Sequence, residues 1–249
     1  MANPTGNITL LVTSPVAEQE RARVAARLME REPAAEQVGF VRLTDGGVRL
    51  DMAGGEFCGN AAMSAGAVYA REKGLRAGER LSVEVRVSGT PRPVTAAVEA
   101  LGGGRYSGAV EMPPPETPRV RRFTLDGTEY TLPLVMFPGI AHVIAPGDMP
   151  RKTAEDAARK WCGDLNAPAL GLMLFDEAAA ELRPLVYVPG ADTLFWESSC
   201  ASGTTAVGAW VSFRDAAPRS LALKQPGGVL TVDAGFAAGL FRLGGFVSI

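Results

Sequence analysis

"EFCGNAAMSAG" (56–66) sets a thiol directly ahead of Gly59 and Asn60 and then runs into small apolar residues. The pattern reads as a helix start with Cys58 at its mouth, and the continuation "AAMSAGAVYA" carries no charge. A helix that is apolar on nearly every face has to be surrounded by protein. "WESSCASGTTAVGAW" (196–210) repeats the arrangement around Cys200, in the other half of the chain. Both stretches follow strand-like runs. Strands wrapped around such a helix, twice over, predict an α+β chain of two pseudo-symmetric lobes, each a curved β-sheet or barrel around a central apolar helix.

The flanking sequence supports that division. "NITLLVTS" reads as a strand, and "SPVAEQERARVAARLMERE" (14–32) as an amphipathic helix with Ser14 as N-cap and Pro15 at its first position. Short strands are expected at "VGFVRL", "GVRLDM", "LSVEVRVSG", "PVTAAVEA" and "YSGAVEM", separated by Gly- and Pro-rich turns. "PPPETP" (113–118) is the clearest break in composition and marks a hinge. The expected lobes are therefore 1–115, holding Cys58, and 116–249, holding Cys200, with a return of the last strand to the first lobe left open. In the second lobe "TAEDAARKWCGD" predicts a helix opened by a capping box of Thr153 and Asp156. Strands resume at "ELRPLVYV", "GVLTVDAG" and "GLFRLGGFVSI".

Composition removes several classes of function. The chain has 249 residues, 25 Lys and Arg against 27 Asp and Glu, and a net charge of −2. Such a balance leaves no electrostatic footprint for nucleic acid or an anionic membrane. The opening "MANPTGNITLLV" lacks a basic segment followed by a long apolar stretch, and no apolar run reaches membrane-spanning length, so a cytoplasmic location is expected. His142 is the only histidine and no C-x-x-C occurs, which argues against a metal site. No phosphate-binding glycine motif is present, and Lys73, Lys152, Lys160 and Lys224 all lie in polar or helix-surface contexts. Neither a nucleotide nor pyridoxal phosphate is expected, and no cofactor is assigned. Three cysteines are too few for a disulfide scaffold and would remain thiols in a reducing compartment.

A helix N-terminus carries unpaired N–H groups and a partial positive charge, which favour anions and thiolates. Two such termini brought to one small anion would place a sulfur on either side of it. That arrangement suits removing a proton from one face of a carbon beside a carboxylate and returning one to the other face. The charge that develops needs fixed donors, each worth about 2.7–4 kcal/mol. The backbone around Gly59, Asn60, Ala201, Ser202 and Gly203 can supply them, and small residues there allow close approach.

Having reached those residues, "EFCGNAAMSAG" and "ESSCASGTTAVGA" are seen to resemble the paired cysteine motifs of the diaminopimelate epimerase-like superfamily, which also embraces proline racemases and PhzF-type isomerases. "PTGNITLLV" resembles that family's "GNDF" strand, and "FPGIAHVIAP" takes the place of its "GNPH" segment. The resemblance covers most of the chain. It implies a cofactor-independent, two-base racemase or epimerase with Cys58 and Cys200 as thiolate and thiol, a small-molecule amino acid as substrate, and possible homodimers. By the same resemblance Asn7 and Asn60 contact substrate, and His142 stands where the family retains a histidine. The family's Asn in "GNPH" is Ile140 here, and "PGADTLFWESS" has no arginine for a distal carboxylate, which argues against meso-diaminopimelate. Asp192 lies near the lost arginine's place, where an acid suits a cationic or hydrogen-bonding side chain. "GGEFCGNA" and "WESSCASGT" look most like histidine racemases of staphylopine-type opine metallophore pathways, so interconversion of L- and D-histidine is expected.

Each residue also has a plainer explanation. Free cysteine is often core, and Cys162, beside Trp161, is read that way. Glu56 and Glu197 either support the thiols or substrate, or are solvated acids at strand ends. His142 either orients a thiol or substrate, or is a structural histidine. Asn7 and Asn60 also suit turns and helix starts for local reasons, and Gly59 and Gly203 also suit tight packing. Diaminopimelate epimerase, a thiol–disulfide redox protein and a non-catalytic amino-acid-binding module are the alternatives to histidine racemisation.

Overall fold

The computed structural model describes residues 1–249 as a mixed α+β fold of sixteen strands and four α-helices. The chain divides into two compact units: Met1–Met112 with Arg242–Ile249, and Pro113–Phe241. No helix is long and apolar enough to cross a membrane.

In the first unit the strands are β1 (Asn3–Pro4), β2 (Thr9–Val12), β3 (Gln37–Thr44), β4 (Gly47–Met52), β5 (Arg80–Val87), β6 (Val94–Gly102) and β7 (Arg105–Glu111). They pair in the order β2-β3-β4-β5-β6-β7, and the final strand of the chain, β16 (Leu240–Ser248), adds to β7 with β1 on its other side. Two of these pairings are parallel and each needs a helical crossover. α1 (Arg21–Arg31) joins β2 to β3, and α2 (Gly59–Glu72) joins β4 to β5.

The second unit repeats that plan. Its strands are β8 (Arg119–Leu125), β9 (Thr128–Phe137), β10 (Ile140–Pro146), β11 (Leu170–Asp176), β12 (Glu181–Val188), β13 (Thr193–Trp196), β14 (Arg219–Gln225) and β15 (Gly228–Gly235). The order is β15-β14-β12-β11-β10-β9-β8, with β13 on β12. Here α3 (Arg151–Leu165) crosses between parallel β10 and β11, and α4 (Ala201–Arg214) between parallel β12 and β14. Asp126 and Gly127, both at positive φ, close the β8–β9 hairpin, as an Asp-Gly pair does in a tight turn of this kind.

The helices that begin at the two cysteines are the buried ones. Nearly all of α2 as far as Ala70 is buried, and so is most of α4. In their own units α2 packs on β4 to β7 and α4 on β14 and β15. A Cβ on Gly66 would lie 3.0 Å from the Ala96 methyl, so the small residues read from the sequence are what let the helix sit on its sheet. α1 and α3 are one-sided. α3 buries Ala154, Ala157, Ala158, Trp161 and Cys162 against the other face of its sheet, where Trp161 donates to the Thr124 carbonyl at 3.0 Å.

Two helix starts differ from expectation. The first helix begins at Arg21 after a short 3-10 turn (Glu18–Glu20), and Ser14 and Pro15 lie outside it. Val16, ahead of it, is partly buried against the cluster of Leu10, Ala25, Val38 and Phe40. The third helix begins at Arg151 behind Pro150, so Thr153 and Asp156 are interior. The Asp156 carboxylate takes the Lys152 ammonium one turn earlier, at 2.6 Å, instead of capping.

Candidate active site

Each cysteine is the N-cap of its helix, and the two caps share one conformation. Cys58 has φ −130° and ψ 113°; Cys200 has φ −123° and ψ 112°. In each the sulfur takes the place of a capping oxygen. Ala61 N–H donates to Cys58 Sγ at 3.4 Å, and Gly203 N–H to Cys200 Sγ at 3.3 Å. The N–H groups of Gly59 and Asn60, and of Ala201 and Ser202, belong to the first turns, where the backbone donors point out of the helix end. Each unit therefore presents one sulfur beside a pair of backbone donors, a combination suited to a carboxylate and a proton in flight.

The loops ahead of the caps are fixed by the hairpin that follows each helix. In the first unit Ser88 Oγ donates to the Glu56 carbonyl at 2.8 Å and accepts from Met52 N–H at 2.9 Å. Gly89, at φ +74°, passes so close to the Phe57 backbone that no Cβ fits. In the second unit Gly227 N–H donates to the Ser198 carbonyl at 2.8 Å, the same two positions ahead of the cysteine.

The sulfur environments are not alike. Cys58 is half-buried, whereas Cys200 is 5% exposed. Burial, reinforced by the Glu197 charge and a hydrogen bond to its carboxylate, pushes the Cys200 thiol well above the usual range; Ser202 and Gly203 oppose this weakly. The helix-end field read from the sequence is present, and burial beats it. Cys200 thus rests as a thiol. Cys162 lies in the core of α3 with its sulfur against the Ala167 carbonyl at 3.4 Å, as a packing cysteine should.

The remaining expected residues fall in varied settings. Asn7 is buried, donating to the Glu36 carboxylate and accepting from Gln37 Nε2 at 2.6 Å. Asn60 is buried in the first turn of α2, and Ser64 Oγ donates to its carbonyl at 2.9 Å. Glu56 is exposed, its carboxylate folded over Gly54. Asp192 is exposed in the left-handed position, φ 48°, that ends a 3-10 turn, a local reason for Asp at that place. His142 is fully buried in β10, edge-on to Phe137 at 5.7 Å, with Gly171 packed against its ring. Neither ring nitrogen has a hydrogen-bond partner. Sequence reading passed over Thr204, Gln225, Ser88 and Gln37. Thr204 alone left a trace, a hydroxyl four residues after the cysteine, placed to reach back to its carbonyl.

Gly203 serves packing as well as the sulfur. A Cβ there would run into the Met173 thioether and come within 3.2 Å of Cys200 Sγ. Gly203→Ala is expected to lower stability by about 1–3 kcal/mol through overpacking, read from a urea titration. Unchanged stability would mean that Met173 swings aside freely.

The model of the histidine racemase CntK N-terminal domain matches residues 1–242. A histidine racemase of Fusobacterium nucleatum is 32% identical over 214 residues, 83% of this chain and 78% of the relative. A histidine racemase of Staphylococcus aureus is 32% identical over 244 residues, 93% and 86% of the two chains. Among solved structures, a probable proline racemase from Agrobacterium radiobacter with bound carbonate aligns with a TM-score of 0.69 at 12% identity, covering 99% of this chain and 88% of that one. A predicted epimerase from Pseudomonas aeruginosa gives 0.68 at 12% identity, with 99% and 94% covered. These two likenesses establish a shared fold.

Proposed function

This chain belongs to the histidine racemase family, and from that premise we propose that it interconverts L- and D-histidine by two-base proton transfer at Cα. The observation that carries the reading is the pair of cysteine N-caps, alike in backbone conformation and each facing first-turn N–H donors. As an amino-acid racemase the chain has to remove a proton that is only weakly acidic. The substrate carboxylate, set against first-turn amides, gathers the charge that Cα releases, and those dipoles are worth most where water is excluded. One sulfur takes the proton and the other supplies its replacement on the opposite face.

The resting proton is assigned to Cys200, because burial and Glu197 hold that sulfur as a thiol. Cys58 is then the base for the first turnover, and the roles exchange for the opposite enantiomer. Asn60, second in α2, and Ser202, second in α4, complete the donor sets, with Asn7 held by Gln37 and Glu36 as a further polar contact. None of the three cysteines is in a disulfide, as thiol chemistry at Cys58 and Cys200 requires.

The test is an amino-acid panel in D2O under reducing conditions, scored for optical rotation and Cα deuteration. L-Histidine is expected to lose its rotation and to gain deuterium at Cα. LL-Diaminopimelate, included in the panel, is expected to remain unchanged. Turnover of diaminopimelate with inert histidine would replace the substrate assignment, and no exchange with any amino acid would remove the reaction itself.

A further inference from the structure

Around Cys200 a ring of hydrogen bonds closes on the backbone of one residue. Cys200 N–H donates to Gln225 Oε1 at 2.9 Å, and Gln225 Nε2 donates to Thr204 Oγ1 at 2.8 Å. Thr204 Oγ1 in turn donates to the Cys200 carbonyl at 2.7 Å, and Thr204 N–H reaches the same carbonyl at 2.9 Å. Gln225 is 8% exposed and Thr204 fully buried, so water does not compete for these groups. Both polar groups of a single peptide residue are thereby held by one side chain and its relay.

We propose that Gln225 is a positioning residue for racemisation, clamping the Cys200 backbone through Thr204 so that Sγ stays seated on the first turn of α4. The inference rests on the racemase reading. With the N–H and carbonyl of Cys200 both fixed, φ and ψ have no freedom, and the side-chain torsion alone sets where the sulfur points. Gln225 ends β14 and pairs with Gly228 across the hairpin, so the clamp is mounted on a rigid element. The first unit is built differently. Ala62 stands where Thr204 stands in α4, and Ser88, on the matching hairpin, bonds the Glu56 carbonyl. The clamp therefore belongs to one sulfur, and its loss should be felt at Cys200 and not at Cys58.

The test uses the full chain with Gln225→Met, which keeps length and removes both bonds, and the pair Thr204→Val and Thr204→Ser. A displacement of a reacting group by about 1 Å costs on the order of 100-fold. Gln225→Met and Thr204→Val are accordingly expected to lower kcat for both enantiomers by about 10- to 100-fold, with KM within about threefold. Thr204→Ser, which keeps the hydroxyl, should restore turnover. A second readout needs no substrate: carboxamidomethylation by iodoacetamide, followed at each cysteine by peptide mass spectrometry across pH. The midpoint for Cys200 should rise in Gln225→Met as the sulfur leaves Gly203 N–H, while that for Cys58 stays. Unchanged kcat and an unchanged Cys200 midpoint would overturn the proposal, and so would equal shifts at both cysteines, which mark general loosening. Should Gln225→Met fail to fold, equal activity of Thr204→Val and Thr204→Ser would overturn it. A wild-type chain that turns over no amino acid removes the racemase reading, yet the midpoint measurement still tests the clamp.

Discussion

Replacing either Cys58 or Cys200 by serine is expected to lower histidine racemisation by about a thousandfold, within the range for loss of a positioned acid or base, while leaving thermal stability almost unchanged. The pairing of those two results separates chemistry from packing. Serine is among the preferred N-cap residues, so a hydroxyl at 58 or 200 can take the N–H of Ala61 or Gly203 as the sulfur does. What disappears is acidity, since a thiol titrates near 8.5 and an aliphatic hydroxyl stays protonated throughout the accessible range. A surviving sulfur can still exchange the proton of the enantiomer that presents Cα–H to it. Residual deuterium uptake should therefore favour one enantiomer in Cys58→Ser and the other in Cys200→Ser. Circular dichroism melts and chiral chromatography of the products, run on the same samples, provide the check. Racemisation within about tenfold of wild type in either variant would end the two-base scheme.

Much of this was legible because it is local. A cysteine ahead of small, uncharged residues announces a buried helix start, and α2 and α4 begin one residue after Cys58 and Cys200. The strands beside them follow from alternation and turn residues. The cap signals at Ser14 and Thr153 misled because the chain starts each helix elsewhere: Val16 packs against the Leu10 cluster ahead of α1, and α3 starts directly behind Pro150, leaving Thr153 inside its first turn. The state of Cys200 could be read only in half. Its helix-end field is written in the following residues, but its burial depends on the surrounding fold. Gln225 lies beyond any local reading, because it meets Cys200 only when β14 returns beside β12. Glu197 was visible by proximity, although its direction was not: it holds the thiol proton on and does not draw it away.

His142 yields the other large effect, a steep loss of stability on mild acidification. The imidazole is fully buried, and burial pushes its pKa from 6.5 down to about 3, with the Gly171 backbone opposing by a smaller amount. In the unfolded chain the same group titrates near 6.5. Its folded-state pKa is depressed, so its contribution is complete above about 6.5 and declines as pH falls, because the unfolded chain takes up a proton that the folded chain refuses. The slope is about 1.4 kcal/mol per pH unit between about 6.5 and 3, and the total is about 5 kcal/mol. His142 is the only histidine, and ordinary carboxylates begin to protonate below about pH 5. The interval from pH 6.5 to 5 is thus governed by one residue. Urea titrations at half-unit steps should show a loss of about 2 kcal/mol across it in wild type, and a flat profile in His142→Leu whatever that variant's absolute stability. A flat profile in wild type would mean that the ring gains a proton in the folded state. It would then have found a water or polar partner, and its place between the sheet and α4 would be a hydrated one.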